Sequence, residues 1–229
     1  MESNKNKGFF NPGVTVDVVI FTIVKEKIKT LLIKRENEPF KNFPALPGGF
    51  VRKGETTINA ARRVLKDKAG VSNVYVEQLY TFDSLNRDPR GQILSVSYFA
   101  LVPFENIRVD VESATEHPEF TYVKSLPELA FDHKDIVAYA TKRLEDKIKY
   151  TNIIYSLLPK YFTLSQLQKT YETILGNKMD KRNFRKKFHE LKLVKPSKKK
   201  LTGTRQRPAV LYYFSDKKPK ELEKFFVGS

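Results

Sequence analysis

The stretch Leu46–Val71, LPGGFVRKGETTINAARRVLKDKAGV, decides how this chain is read. Its adjacent glycines Gly48 and Gly49 predict a tight turn, because backbone without a Cβ bends where other residues clash. From Thr57 to Ala69 the apolar residues Ala61, Leu65 and Ala69 recur at every fourth position, so the turn is expected to feed a helix with one apolar face. Glu55 and Arg63 carry opposite charges and are expected to pair across that junction, holding the loop on the helix.

The flanking sequence supplies a sheet. Val14–Val24 (VTVDVVIFTIV) is a β-branched run, Lys25–Lys27 is polar, and Ile28–Lys34 runs back, which predicts a hairpin. Val74–Phe82 and Gln92–Val102 read as strands around the loop Asp83–Gly91 (DSLNRDPRG). A strand near Phe120–Val123 precedes Leu126–His133 (LPELAFDH) and a charged helix over Lys134–Tyr150. Strands mixed with two helices imply an α+β fold with its sheet covered on both faces. Pro159 ends whatever helix carries Leu157 and Leu158, and beyond it the pattern changes. Thr163 and Gln166 have capping-box spacing, Gly176 suits a C-terminal cap, and Asp180 caps a second helix over Lys181–Leu191. After a basic linker, Pro208–Phe214 reads as a strand, with Lys192–Val194 as its antiparallel partner. Two short helices and a hairpin make a small winged helix-turn-helix, so residues 1–150 and 151–229 are expected to form separate domains.

Composition narrows the classes. With 229 residues the chain suits one ordinary domain plus a smaller one. The absence of Cys excludes disulfides, thiolate zinc sites and cysteine nucleophiles, and the three His (His117, His133, His189) are far apart in sequence. The longest apolar run is interrupted by Asp17 and falls short of the roughly 20 residues that span a bilayer. The start MESNKNKGFF lacks the apolar core of a signal peptide, so a soluble cytoplasmic protein without membrane contact is expected. Charge is unevenly placed: Thr151–Ser229 holds 19 Lys and Arg against 6 Asp and Glu, the first 150 residues 23 against 20. A near-neutral body with a small basic module points to a polyanion-binding part attached to something else.

Gly49, Glu55, Arg63, Leu65, Gly70 and Val71 stand at the offsets of the Nudix box, G-x5-E-x7-R-E-U-x-E-E-x-G-U with U aliphatic, and the segment resembles the Nudix family. The resemblance implies a Nudix-type α/β/α sandwich with a mixed sheet. Its helical glutamates lie at i, i+3 and i+4, share one face, and hold divalent metal beside a pyrophosphate. Here those positions carry Val64, Asp67 and Lys68. Replacing a carboxylate by an ammonium changes the local charge by two units, each worth roughly 4 kcal/mol at about 4 Å with an effective dielectric of 20. The box is therefore read as a retained frame without a catalytic or metal site, no cofactor is expected, and the chain is expected not to be a hydrolase.

In the second helix of the module, Phe184, Phe188 and Leu191 follow core spacing, which sets Arg182, Arg185, Lys186 and His189 on the opposite face as a recognition surface beside Lys181. Lys198, Lys199, Lys200, Arg205 and Arg207 around Gly203 suit a wing against the DNA backbone. A solvated basic face without a partner is the plainer use of these charges. RNA fits less well, since the aromatics look buried rather than available for stacking. MDKRNFRKKF and RQRPAVLYYF, with LPGGF, RDPRG and LAFDH upstream, resemble Nudix-related transcriptional regulators, some repressing NAD-metabolism genes in response to ADP-ribose and others controlling arabinose or other sugar genes. The phrase FTLSQLQ…MDKRNFRKK leans toward the sugar branch.

The chain is therefore expected to be a ligand-responsive transcriptional regulator that binds double-stranded DNA, and to act as a homodimer on a palindromic operator because two half-sites about one helical turn or a multiple apart call for two recognition helices. The alternative is a Mg²⁺-dependent pyrophosphatase for ADP-ribose or nucleoside-diphosphate sugars with an accessory basic domain. Candidate effector contacts are Asp17, Arg35, Phe43, Arg87, Asp88, Asp132 and His133. Five of them have a plainer use: Asp17 capping a turn or pairing with a core Arg, Arg87 and Asp88 stabilising their turn, His133 satisfied at an interface, Phe43 in the core.

Overall fold

The computed structural model describes residues 11–108, 118–201 and 209–222. Strands β1 (Gly13–Val24), β2 (Lys27–Lys34), β3 (Pro44–Ala45) and β4 (Gly48–Phe50) precede helix α1 (Thr57–Ala69). Then come β5 (Tyr75–Phe82), β6 (Ile93–Leu101), β7 (Glu119–Tyr122) and α2 (His133–Lys147). A short 3-10 helix, Ile153–Leu157, leads into α3 (Leu164–Leu175), α4 (Lys181–Glu190) and the hairpin β8 (Val194–Leu201) and β9 (Ala209–Phe214).

The first part is a mixed sheet in the order β3-β2-β1-β6-β5, with β4 also on β1 and β7 on β2. Only β1 and β6 run parallel among these pairs. Alternation along β1 sorts its side chains. Val16, Val18 and Ile20 join Ala60, Ala61, Val64 and Leu65 of α1 in one core. Val19 and Phe21 join Ile136, Val137 and Ala140 of α2 in the other. A sheet covered by a helix on each face is the expected sandwich. Asp17 shares the parity of Val19 and therefore faces the α2 side.

The α2-side core does not stop at the sheet. It continues through Ile153, Ile154 and Leu157 into Leu167 and Tyr171 of α3, Phe184 and Phe188 of α4, and Phe214 of β9. Helices α3 and α4 followed by the β8–β9 hairpin form the winged helix. No helix among the described residues is long and apolar enough to cross a membrane.

Four expectations change. Gly48 and Gly49 do not turn; they lie in β4, with Gly48 opposite Asp17. Left-handed backbone in this region falls on Gly54 (φ 77°) and Gly70 (φ 63°) instead. The basic linker is largely strand: β8 runs from Val194 to Leu201, because β9 offers it a partner from Phe214 to Ala209. Helix α2 begins at His133 and ends at Lys147, and the residues before Pro159 coil into a 3-10 helix. His117, Gly203, Arg205 and Arg207 lie outside the described residues.

Candidate functional site

The box keeps its frame through local chemistry. Thr56 caps α1 by accepting from Asn59 N at 3.4 Å. At the other end Gly70 is left-handed and donates to Lys66 O, and a Cβ there would fall 2.2 Å from Arg108 O. Arg63 donates to both oxygens of Glu55, at 2.8 and 2.9 Å, and to Phe50 O at 3.1 Å. Arg52 N adds a third bond to Glu55 at 3.0 Å. The Arg63 bonds, helped by Arg52, hold the Glu55 carboxyl down to about 2. Val64 points into the sheet core, Asp67 is exposed and Lys68 half-buried. Among the described residues no group of three His, Asp or Glu side chains is placed to hold a metal ion. One carboxylate beside an ammonium does not fit Mg²⁺, which takes oxygen donors.

On the α2 side of β1 a cleft with about 680 Å³ of non-protein space opens to solvent, lined among others by Asp17, Arg35, Phe50, Arg87, Asp88 and Phe131. Asp17 sits at its floor. It accepts from Ser95 Oγ at 2.7 Å and from Arg87 at 3.5 Å, and its other oxygen lies 3.5 Å from His133 Nε2. Burial alone would raise its pKa, but His133, Ser95 and Arg87 outweigh burial and hold it below the usual carboxylate range. His133 Nδ1 accepts from Leu46 N at 2.9 Å, which orients the ring with Nε2 toward Asp17. Leu46 belongs to the same LPGGF segment whose Gly48 lets β4 approach Asp17.

Arg87 is buried and clamps Asp132 through two bonds, 2.9 Å from Nε and 2.7 Å from a terminal nitrogen. Burial disfavours its charge, yet Asp132 and Asp17 prevail and its pKa is raised. Next to it Asp88 holds Arg90 at 2.9 and 2.6 Å. The Arg90 guanidinium lies 5.2 Å from the Phe50 ring and 5.4 Å from the Phe131 ring, and the Arg35 guanidinium 4.7 Å from Phe131.

The structure thus brings Asp17, Arg35, Arg87, Asp88 and His133 together in one lining. Asp17 does pair with a core arginine. Asp132 stands behind Arg87 rather than in the lining. Phe43 is exposed rather than in the core, meets Phe40 edge-on at 5.9 Å, and is outside the lining too. Sequence reading passed over Phe50, Arg90 and Phe131, although each lies within LPGGF, RDPRG or LAFDH. Adjacency to the named positions was the available signal.

The second constellation is on the winged helix. The Thr163–Gln166 capping box is formed in both directions. Glu172 accepts from Met179 N at 3.0 Å and from Gln168 Nε2 at 2.9 Å, which fixes the turn into α4, and Asp180 caps α4 by accepting from Asn183 N at 2.8 Å. Phe184 and Phe188 are buried, and Lys181, Arg182, Lys186 and His189 are exposed. Arg185 departs from its expected place: it is half-buried, and its Nε is buried without a hydrogen-bond partner among the described residues. Helical geometry explains this, since Arg185 is only about 60° around the axis from Phe188. Lys199 is exposed on β8 with Nζ 4.6 Å from the Tyr161 ring, and Lys200 follows it on the same strand.

Residues 12–141 match the NUDIX domain family, and residues 154–214 match the NrtR DNA-binding winged helix domain. The chain is 39% identical over 210 residues to the ADPR responsive transcriptional repressor NtrR of Acinetobacter baylyi, covering 90% of this chain and 83% of that protein. It is 37% identical over 133 residues to the ADP-ribose pyrophosphatase of Methanocaldococcus jannaschii, covering 58% of this chain and 75% of that protein. Its structure matches that of Shewanella oneidensis NrtR complexed with a 27mer DNA at a TM-score of 0.80 and 33% identity, over 88% of this chain and 93% of that one. The NUDIX domain of that protein complexed with ADP ribose matches at a TM-score of 0.53 and 34% identity, over 61% of this chain and 92% of that one. These relatives give the arabinose reading no support.

Proposed function

The chain belongs to the Nudix family in the form that carries an NrtR DNA-binding winged helix, and on that premise we propose that it is a cytoplasmic, ADP-ribose-responsive transcriptional repressor. Residues 1–150 would sense the ligand and residues 151–229 bind DNA. One observation carries this reading: the cleft is well furnished with charged and aromatic groups, while the box helix on the other face of the sheet carries Asp67 as its one acidic residue. ADP-ribose has two phosphates, vicinal ribose hydroxyls and a flat base. Arg35, Arg87 and Arg90 can donate to phosphate oxygens. Asp17 and Asp88 can accept from hydroxyls, with His133 as a further polar contact. Phe50 and Phe131 offer faces for the base, and Phe43 stands outside this set.

On DNA, exposed Lys181, Arg182 and Lys186 of α4 would enter the major groove, with the wing (Lys199, Lys200 and, further along, Arg205 and Arg207) on the backbone. One α4 reads one half-site, so a homodimer on a palindrome is the expected assembly, with half-sites about 34–36 Å apart or a multiple of that.

The test is to select duplexes from a random-sequence library with the full chain, then measure affinity for the best one with and without ADP-ribose. ADP-ribose should bind and shift the DNA dissociation constant by about 5-fold or more, the lower range of measured couplings. No binding, or binding with no shift, would sink the reading. The similarity to a pyrophosphatase keeps hydrolysis as the second reading. Mg²⁺-dependent release of phosphate products from ADP-ribose at ordinary enzyme rates, roughly 1 s⁻¹ or faster, would favour it.

A further inference from the structure

Arg87 and Asp132 connect the cleft to the helix that reaches the DNA-binding module. Arg87 lines the cleft, and its two bonds to Asp132 are among the shorter ones there, at 2.9 and 2.7 Å. Asp132 occupies the N-cap position of α2, yet its side chain makes no capping bond. A carboxylate turned toward Arg87 is not turned toward the amides of its own helix, so the two uses compete. Beyond this cap, α2 buries Ile136, Val137, Ala140 and Leu144 in the core that also holds Leu167 of α3 and Phe188 of α4. A change in how α2 begins is therefore felt where the recognition helix is seated.

We propose that Asp132 is a positioning residue that couples the cleft to the winged helix: an anionic ligand draws Arg87 off Asp132, and the freed carboxylate caps α2. This rests on the ADP-ribose reading above. A phosphate presents the same paired acceptors to a guanidinium as a carboxylate does, so Arg87 can exchange one for the other without losing its fork of bonds. A free aspartate at an N-cap accepts from the second or third helical amide and meets the positive end of the helix dipole; here Asp135 N already donates to Asp132 O at 3.0 Å, so Lys134 N is the amide the freed carboxylate would cap. Close-packed interiors shift between discrete arrangements, which carries the changed start of α2 into α3 and α4. Asp132 itself does not touch the ligand.

The experiment uses the full chain, ADP-ribose, and the duplex selected from the random library, with Asp132→Ala and Asp132→Asn beside wild type. Calorimetry gives the ADP-ribose affinity, and fluorescence anisotropy gives the DNA affinity with and without it. Asp132→Ala removes both clamp and cap. It should bind ADP-ribose more tightly than wild type, because Arg87 no longer has to be withdrawn, while its DNA affinity ceases to respond. Asp132→Asn weakens the clamp and keeps a capping side chain, so without ligand its DNA affinity should already sit at the value wild type shows with ADP-ribose. A merely structural role would weaken ADP-ribose binding instead. Loss of that binding in either folded variant, or coupling preserved at the wild-type ratio, overturns the proposal while leaving the functional reading intact. A wild-type chain whose DNA affinity ignores ADP-ribose overturns both. If Asp132→Ala fails to fold, the near-isosteric Asp132→Asn decides.

Discussion

Gly48 and Gly49 are neighbours with opposite tolerances. A Cβ on Gly48 would lie 2.2 Å from Asp17 Oδ1 and 2.7 Å from Val16 O, whereas one on Gly49 meets nothing within 4 Å. Gly48→Ala should therefore cost about 1–3 kcal/mol, as overpacking does, and Gly49→Ala within about 0.5 kcal/mol of nothing. Urea midpoints test the contrast, and equal values for the two variants would contradict it. At Glu55 the prediction concerns pH. Its folded pKa of about 2 lies below the ordinary 4.5, so the Arg63 pair contributes in full above about 4.5 and fades as pH falls toward 2. Arg63→Ala should melt lower at pH 7 and lose less on going to pH 3 than wild type does; parallel acid limbs would count against the pair. Both residues were visible in sequence because the box has fixed offsets. The reason for Gly48 was not, since the obstacle is a side chain from another strand.

At the scale of elements, caps were legible and faces less so. Thr163 and Gln166, Gly176 and Asp180 act within a few residues of themselves, and all four stand where their spacing puts them. Arg185 was misplaced because a recognition surface was assigned by excluding core positions, and a residue on the flank of the core stripe is excluded only in part. This gives a prediction for α4. Lys186→Ala should weaken DNA binding across sequences and lower the salt slope by about 1, as one lost phosphate contact does, with stability unchanged. Arg185→Ala should alter stability as well, since its Nε is buried. A salt titration paired with thermal melts separates them, and indistinguishable variants would refute the difference in burial. The length of β8 was underread for a related reason: beyond Val194 its run of lysines has weak strand preference, and pairing with β9 overrides it.

Across the whole molecule, charge divides the chain and packing joins it. Most of the excess positive charge, 13 of 16, belongs to the last 79 residues of 229. The core, by contrast, runs from Val19 in the sheet to Phe214 in the wing hairpin. The exposed pair Lys169–Glu26, at 3.1 Å, also bridges the two regions but contributes little. Leu167→Ala, at a fully buried position on α3, should cost about 2–5 kcal/mol. Because its neighbours include α2-side residues, calorimetry should show the whole transition moving together. A variant in which one transition shifts and another stays would mean that the shared core does not couple the regions.

The sequence by itself determined the box frame, the loss of its carboxylate face, the helix caps and the placement of charge, all of which depend on spacing within a few residues or on counting. Only the tertiary structure decided how Asp17, Arg87, Asp132 and His133 meet. Asp17 and Arg87 are 70 positions apart, Arg87 and Asp132 45. Their contact depends on which strands pair and on α2 crossing the face that Asp17 shares. No local period encodes that, because the order of strands in a sheet is set by the sum of packing across its whole surface.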